Sequence, residues 1–154
     1  MSRKPPWDRL KDLAAQRRDA HAQRLAALTR DRDEARQRLE MLLSYRTDYQ
    51  TRLSQASSKG IDLEVLRNYQ SFLSQLERAI AQQSDLVAQA ERKVHGARQE
   101  WTSERQRVES FQALDERHTA SVAKDERRRA QKLTDEWSSR NGGRQSIPAP
   151  DTEF

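Results

Sequence analysis

The sequence predicts an all-α fold: two long helices forming an antiparallel coiled-coil hairpin, the second helix overhanging the first. Three observations predict it. Apolar residues recur at heptad spacing from Leu66 to Phe111. No proline stands between Pro6 and Pro148, so nothing in that span must break a helix. One internal loop signal, Ser57-Ser58-Lys59-Gly60, divides the chain.

The heptad carries most of the weight. Leu66, Leu73, Ile80, Val87, Val94, Trp101 and Val108 fall seven apart, and all are apolar. Tyr69, Leu76, Gln83, Ala90, Ala97, Glu104 and Phe111 form the companion register. A repeat averaging 3.5 residues keeps one seam facing a partner helix as the pair supercoils. Gln83 and Glu104 are its polar entries; such entries cost some stability and help to fix register.

Composition agrees with a narrow seam. The chain has 154 residues, which allows one domain. Apolar residues make up 34%, well below the ~45–50% of globular domains, and charged residues another 34%. Such a chain buries a stripe rather than a thick core, and most of its charges form a solvated helical surface. There is no cysteine, which excludes disulfides and thiolate chemistry and fits a reducing cytoplasm. The longest aliphatic run is Met41-Leu42-Leu43, far short of the ~20 residues of a membrane span. Net charge is +5, and residues 1–24 contribute +4 of it, residues 25–111 +1, 112–144 +2 and 145–154 −2. The excess thus lies towards the two ends of the sequence, which a hairpin brings together.

In chain order, residues 1–7 read as a short disordered lead with two prolines. The first helix is expected over about 8–56, beginning at Asp8. Leu10 and Leu13 open its apolar stripe, which thins to Ala14, Ala20 and Ala22 among arginines. Leu25, Leu28, Ala35, Leu39, Leu42, Tyr49 and Leu53 then resume heptad spacing, with Arg32 and Arg46 at seam positions. Arginines so placed lay their stems along the seam and keep the guanidinium in water. The turn covers 57–61. Gly60 suits a left-handed position after a helix, Asp62 an N-cap, and Ile61 with Leu66 a hydrophobic staple.

The second helix is expected over about 62–138. With the turn near residues 59–60, residue i faces one near 120 − i, so Leu10 faces the neighbourhood of Val108 to Phe111 and Trp101 that of Ala20. Trp101 there fills a gap in the core, with Arg17 or Arg18 stacked on it. Past residue 111 the seam positions turn polar at Asp115, His118, Asp125 and Arg129, leaving residues 112–138 as an overhang that is either a frayed, solvated helix or a tip that acquires a partner. Asn141-Gly142-Gly143 gives the first clear stop, and residues 139–154 read as a disordered tail.

The residues of catalysis are missing. His21, His95 and His118 lie far apart; His21 and His95 approach across a hairpin but lack the carboxylates or cysteines of a metal site. No phosphate loop or nucleophile elbow occurs, and a two-helix rod has no cavity that excludes water. The sequence therefore reads as not an enzyme, with no metal and no cofactor. Arg127-Arg128-Arg129 is flanked by Asp125, Glu126, Asp135 and Glu136 and has no aromatic platform, which argues against nucleic acid. One flank is less bland. Phe72, Leu76, Ala79 and Gln83 form a second shallow stripe, either widening the core or offering a protein docking point.

Several stretches resemble a known family. LEMLLSYRTDY at 39–49, KGIDLEVLRNYQSFLSQLERAIAQQ at 59–83, Trp101, Phe111-Gln112-Ala113-Leu114, Glu126 and QKLTDEW at 131–137 are similar to the bacterial flagellar export protein FliJ. The most specific part is Gly60-Ile61 followed by Asn68-Tyr69-Gln70, Phe72 and Leu76-Glu77. The arginine-rich stretch 14–24 departs from the more acidic pattern of family members. The resemblance implies a soluble cytoplasmic component of the flagellar type III export apparatus, peripherally associated with the inner face of the membrane. It implies a coiled coil like the central stalk of rotary ATPases, which binds and stimulates the hexameric export ATPase. It also implies contacts with the membrane export gate and with export chaperones. On this reading Phe72, Leu76, Ala79 and Gln83 meet the gate. Leu10, Leu13, Leu114, Arg127, Arg128 and Lys132 meet the ATPase ring. The free protein is expected to be a monomer that neither inserts into membrane nor binds nucleic acid. The competing readings are a basic coiled-coil adaptor for nucleic acid and a self-associating structural rod.

Overall fold

The structure, a computed structural model, describes residues 4–143. It contains two helices, α1 over Asp8–Ser58, 51 residues, and α2 over Leu63–Gly142, 80 residues. The chain divides into two compact units. One is Asp12–Val108; the other combines the segment up to Lys11 with the segment from Glu109 onward.

In the Asp12–Val108 unit the two helices run antiparallel and share a single seam. Every seam position expected in α2 from Leu66 to Val108 is buried or half-buried, with Leu76, Val87, Val94, Ala97 and Val108 the most enclosed. The cross-helix contacts fix the register. Arg46 meets Glu77, Arg36 meets Glu91 and His21 meets Glu100. The Arg46–Glu77 and His21–Glu100 pairs sum close to the value expected from a turn near residue 60, whereas Arg36 reaches Glu91 along a longer diagonal. The Arg36–Glu91 contact is short at 2.6 Å, yet both side chains are about half exposed, so it adds little stability.

Polar seam residues do more to set the register. The Gln83 amide Nε2–H donates to the Ala35 carbonyl across the interface at 2.9 Å. Sliding the helices by one residue would break this bond and leave a half-buried amide without it. Glu104 is less well served. One of its carboxylate oxygens is buried without a hydrogen bond, and the Arg107 guanidinium stands 3.9 Å from it. Arg32 and Arg46 behave as seam arginines should: their heads reach Asp33 and Glu77 at the rim.

The start of α1 differs from expectation. Leu10 and Leu13 are exposed, at 54% and 44%, and do not open the seam. Counted back from Leu25, the heptad passes through His21, Arg18, Ala14, Lys11 and Trp7, all half-buried or buried. The register never lapses. Polar residues occupy its positions, and the leucines stand one place off them. Trp7, assigned to the lead, is half-buried, and Pro5 carbonyl accepts the Asp8 N–H at 3.1 Å. Trp101 is half-buried as expected, but the cation over its ring is Arg105 at 4.8 Å, not Arg17 or Arg18. A residue four places on lies on the same face whatever the partner helix does.

The turn follows its chemistry. Lys59 and Gly60 N–H groups donate to Ala56 and Ser57 carbonyls, tightening the last turn of α1. Gly60 has φ +80°. Asp62 precedes α2, and its carbonyl accepts the Leu66 N–H at 3.0 Å. At the far end α2 persists to Gly142, past the expected 138, with Gly143 N–H bonded to Ser139 carbonyl. The helix yields at the two glycines rather than before them. Disorder expected for residues 1–3 and 144–154 falls outside the described residues.

A stability prediction arises here. Gly96 lies inside α2, and a Cβ built on it meets no atom within 4 Å. Gly96→Ala should stabilise the protein by about 0.5–1 kcal/mol, because glycine pays extra backbone entropy in a helix. A thermal melt followed by circular dichroism at 222 nm checks this; a lowered midpoint would mean that the seam cannot admit a methyl group at 96.

Candidate docking surfaces

In the Asp12–Val108 unit the surface with most character lies beside the turn. The Phe72 and Tyr49 rings stack with centroids 4.1 Å apart and 25° between planes. Tyr69 meets Tyr49 edge-on at 6.0 Å, and the Arg52 guanidinium sits 5.6 Å from the Tyr49 centroid. These residues, with Val65 and Asn68, line an open groove of about 250 Å³. Stacking orients the Phe72 ring while leaving the residue 39% exposed.

The four residues assigned to the gate do not share this fate. Phe72 offers surface. Leu76 is core at 7% exposure, Ala79 is half-buried, and the Gln83 amide is engaged with Ala35. The stripe i, i+4, i+7, i+11 runs into the seam because its spacing nearly coincides with the heptad. The accessible patch turns instead towards Tyr49, Val65, Asn68 and Tyr69. Part of it was legible: Asn68, Tyr69 and Phe72 belong to the most specific part of the resemblance.

The second unit carries a different surface. The Trp7 indole N–H donates to Asp115 Oδ1 at 2.7 Å, and the Lys11 ammonium bonds Asp115 Oδ2. The Trp7 ring meets His118 edge-on, centroids 5.4 Å apart at 89°. Hydrogen bonds from Lys11 first and Trp7 second hold the Asp115 carboxyl below its ordinary value of 3.8. A depressed carboxyl stabilises the fold fully above its unfolded value and ceases to do so as pH falls through the folded one. The clasp should therefore hold at neutral pH and open on acidification below 3.8. The indole N–H resonance of Trp7 should shift in that acid range, and Asp115→Asn should reproduce much of the shift at pH 7. An unmoved resonance down to pH 2 would show that the carboxylate does not anchor the tryptophan.

Just past this clasp Lys4 and Pro5 still stand beside α2. A shallow groove of about 390 Å³ is lined by Lys4, Pro5, His118, Thr119, Val122, Ala123 and Glu126. From Lys124 to Gly142 every residue is exposed. Of the residues assigned to the ATPase ring, Leu10, Leu114, Arg127, Arg128 and Lys132 belong to this unit and all are exposed. Leu13 is exposed in the other unit. Sequence reasoning passed over Leu133 and Trp137, exposed at 67% and 68%. Their i, i+4 spacing inside QKLTDEW was the available signal.

Neither surface resembles a reaction centre. His21 faces Glu100 at 3.5 Å, whereas His95 pairs with Gln99 one turn along its own helix. Among the described residues no group of three or more His, Asp and Glu could hold a metal ion. No helix among them is long and apolar enough to cross a membrane.

Two long helices that pair antiparallel over Asp12–Val108 place the protein in the coiled-coil class. Comparison with known proteins makes the class specific. The family model described as flagellar FliJ protein matches residues 3–146. Flagellar FliJ protein of Salmonella typhi is 35% identical over 131 residues, covering 85% of this chain and 89% of that protein. The Escherichia coli K12 protein of the same name is 34% identical over the same shares. A solved structure described as a homolog of YscO, CT670 from Chlamydia trachomatis, superposes with a TM-score of 0.68 at 17% identity. It covers 95% of this chain and all of its own, and it supports the fold. The chain belongs to the flagellar FliJ family and is thereby a component of flagellar protein export.

Proposed function

We propose that this protein is a non-enzymatic stalk that binds and stimulates the hexameric flagellar export ATPase, and that it links the ring to the membrane export gate and to export chaperones. The observation that carries the reading is the uncovered end of α2. Nineteen consecutive residues, Lys124 to Gly142, stand exposed, with Leu133, Trp137, Arg127, Arg128 and Lys132 among them. Leu133 and Trp137 stand one helical turn apart and together form an exposed apolar patch rimmed by charge, the kind of surface that marks a protein interaction site.

The ring reading requires no chemistry from this chain. A helix in the centre of a ring biases the contacts among its subunits. It stimulates hydrolysis only by binding the assembled or active state more tightly than the others. Arg127, Arg128 and Lys132 supply long-range attraction, and Leu114, Leu133 and Trp137 the area that excludes water. Leu10 adds to the same unit's surface, and Leu13 is a separate candidate. The groove at Phe72, Tyr49 and Tyr69 suits a second protein partner, and the gate is the occupant we assign to it. The protein then works in the cytoplasm at the inner face of the membrane.

The test is the hydrolysis rate of the same organism's flagellar export ATPase with and without this protein. Stimulation together with co-elution on a sizing column supports the reading. An unchanged rate with no complex would reject the ring as partner and leave the export role to the gate and chaperone contacts.

A further inference from the structure

We infer that the uncovered end of α2 is self-complementary and pairs, antiparallel, with the same segment of a second copy of this chain. Residues Glu126, Arg129, Ala130, Leu133, Glu136, Trp137 and Arg140 all project within about 60° of Leu133 at 100° per residue. All are exposed. The charged members make no ion pair among the described residues. A two-fold axis placed through Leu133 sets this face against itself and matches every position.

On the axis Leu133 meets its own copy. Seven residues to either side, Glu126 of one chain faces Arg140 of the other, twice by symmetry. On one flank Trp137 covers the small Ala130 of the partner copy, where a ring has room. On the opposite flank Arg129 faces Glu136. The pairing is isologous, so it closes at two and does not grow into a filament. Parallel pairing would set Glu126 on Glu126 and Arg140 on Arg140, and is excluded by like charge. The face spans about 21 Å at 1.5 Å per residue, well short of a standard interface. The dimer is therefore transient and concentration-dependent, and it sequesters Leu133 and Trp137 when no other partner holds them.

The inference stands apart from the ring reading, because it can be tested on this protein alone. The chain has no cysteine, so one introduced thiol is unambiguous. Leu133→Cys places two thiols at the axis, whereas Gln131→Cys sits on the opposite face of the same exposed stretch. Under mild oxidation Leu133→Cys should give a disulfide-linked dimer at least ten times faster than Gln131→Cys. Sedimentation equilibrium of the cysteine-free chain should show monomer and dimer exchanging. Glu126→Arg and Arg140→Glu should each raise the dissociation constant roughly three- to tenfold, because each upsets two contacts per dimer. The double variant should return it to within twofold. Equal oxidation rates at 131 and 133, a monomer up to several hundred micromolar, or a double variant no better than the singles would overturn the inference.

Discussion

Removal of residues 124–154 is expected to abolish stimulation of the export ATPase while leaving the melting midpoint within a degree or two. The cut follows from the clasp. A shorter chain ending at Phe111 would also lose Asp115 and His118, the partners of Trp7 and Lys11. It would release the N-terminal segment and confuse two effects. Ending at Ala123 keeps the clasp and removes the exposed stretch, Arg127, Arg128, Lys132, Leu133 and Trp137 included. Those residues bury nothing in the free protein, so their loss subtracts little from stability. Hydrolysis by the ATPase, measured against both chains at equal concentration, gives the result. Full stimulation by the shortened chain would move the working surface elsewhere on the protein. Partial stimulation that falls with salt would assign the remainder to the basic residues nearer the clasp.

The second large effect separates two neighbours in sequence. Leu76→Ala should cost about 2–3 kcal/mol, since the side chain is enclosed in the seam and its loss leaves a cavity. At ~2–4 °C per kcal/mol for a chain of this size, the midpoint should fall by about 4–12 °C. Phe72→Ala should cost only about 1 kcal/mol, the worth of one aromatic stack plus a partly exposed ring. Its larger effect should be on capture of the export gate's cytoplasmic domain, weakened about tenfold or ~1.4 kcal/mol. Two measurements on each variant, a thermal melt and a titration against that domain, resolve them. A Phe72→Ala midpoint as low as that of Leu76→Ala would make the ring core. Unchanged affinity at a nearly unchanged midpoint would leave the groove beside Tyr49 without a role at the gate.

What the sequence determined by itself was periodic. The seam from Leu66 to Val108, the turn at Gly60 and the antiparallel register follow from spacings, because a coiled coil is nearly one-dimensional and each residue's burial depends on its place in the repeat. The polar entries were legible too: Gln83 sits in the seam as spacing requires. Tertiary structure decided what spacing leaves open. Leu10 and Leu13 look like the start of the stripe because they are apolar, yet the register belongs to Trp7, Lys11 and Ala14. A lysine can hold a seam position once an aspartate from the other helix meets its ammonium, and no count along one strand of sequence finds Asp115 for Lys11. The same limit governed the docking surfaces. Phe72, Leu76, Ala79 and Gln83 share a helical row, but exposure is fixed by what the opposite helix brings to each. Tyr49 turns Phe72 outward on a stack, the seam closes over Leu76, and Ala35 takes the Gln83 amide. Periodicity names the face of a helix; only the partner across the seam decides which side chains on it remain available.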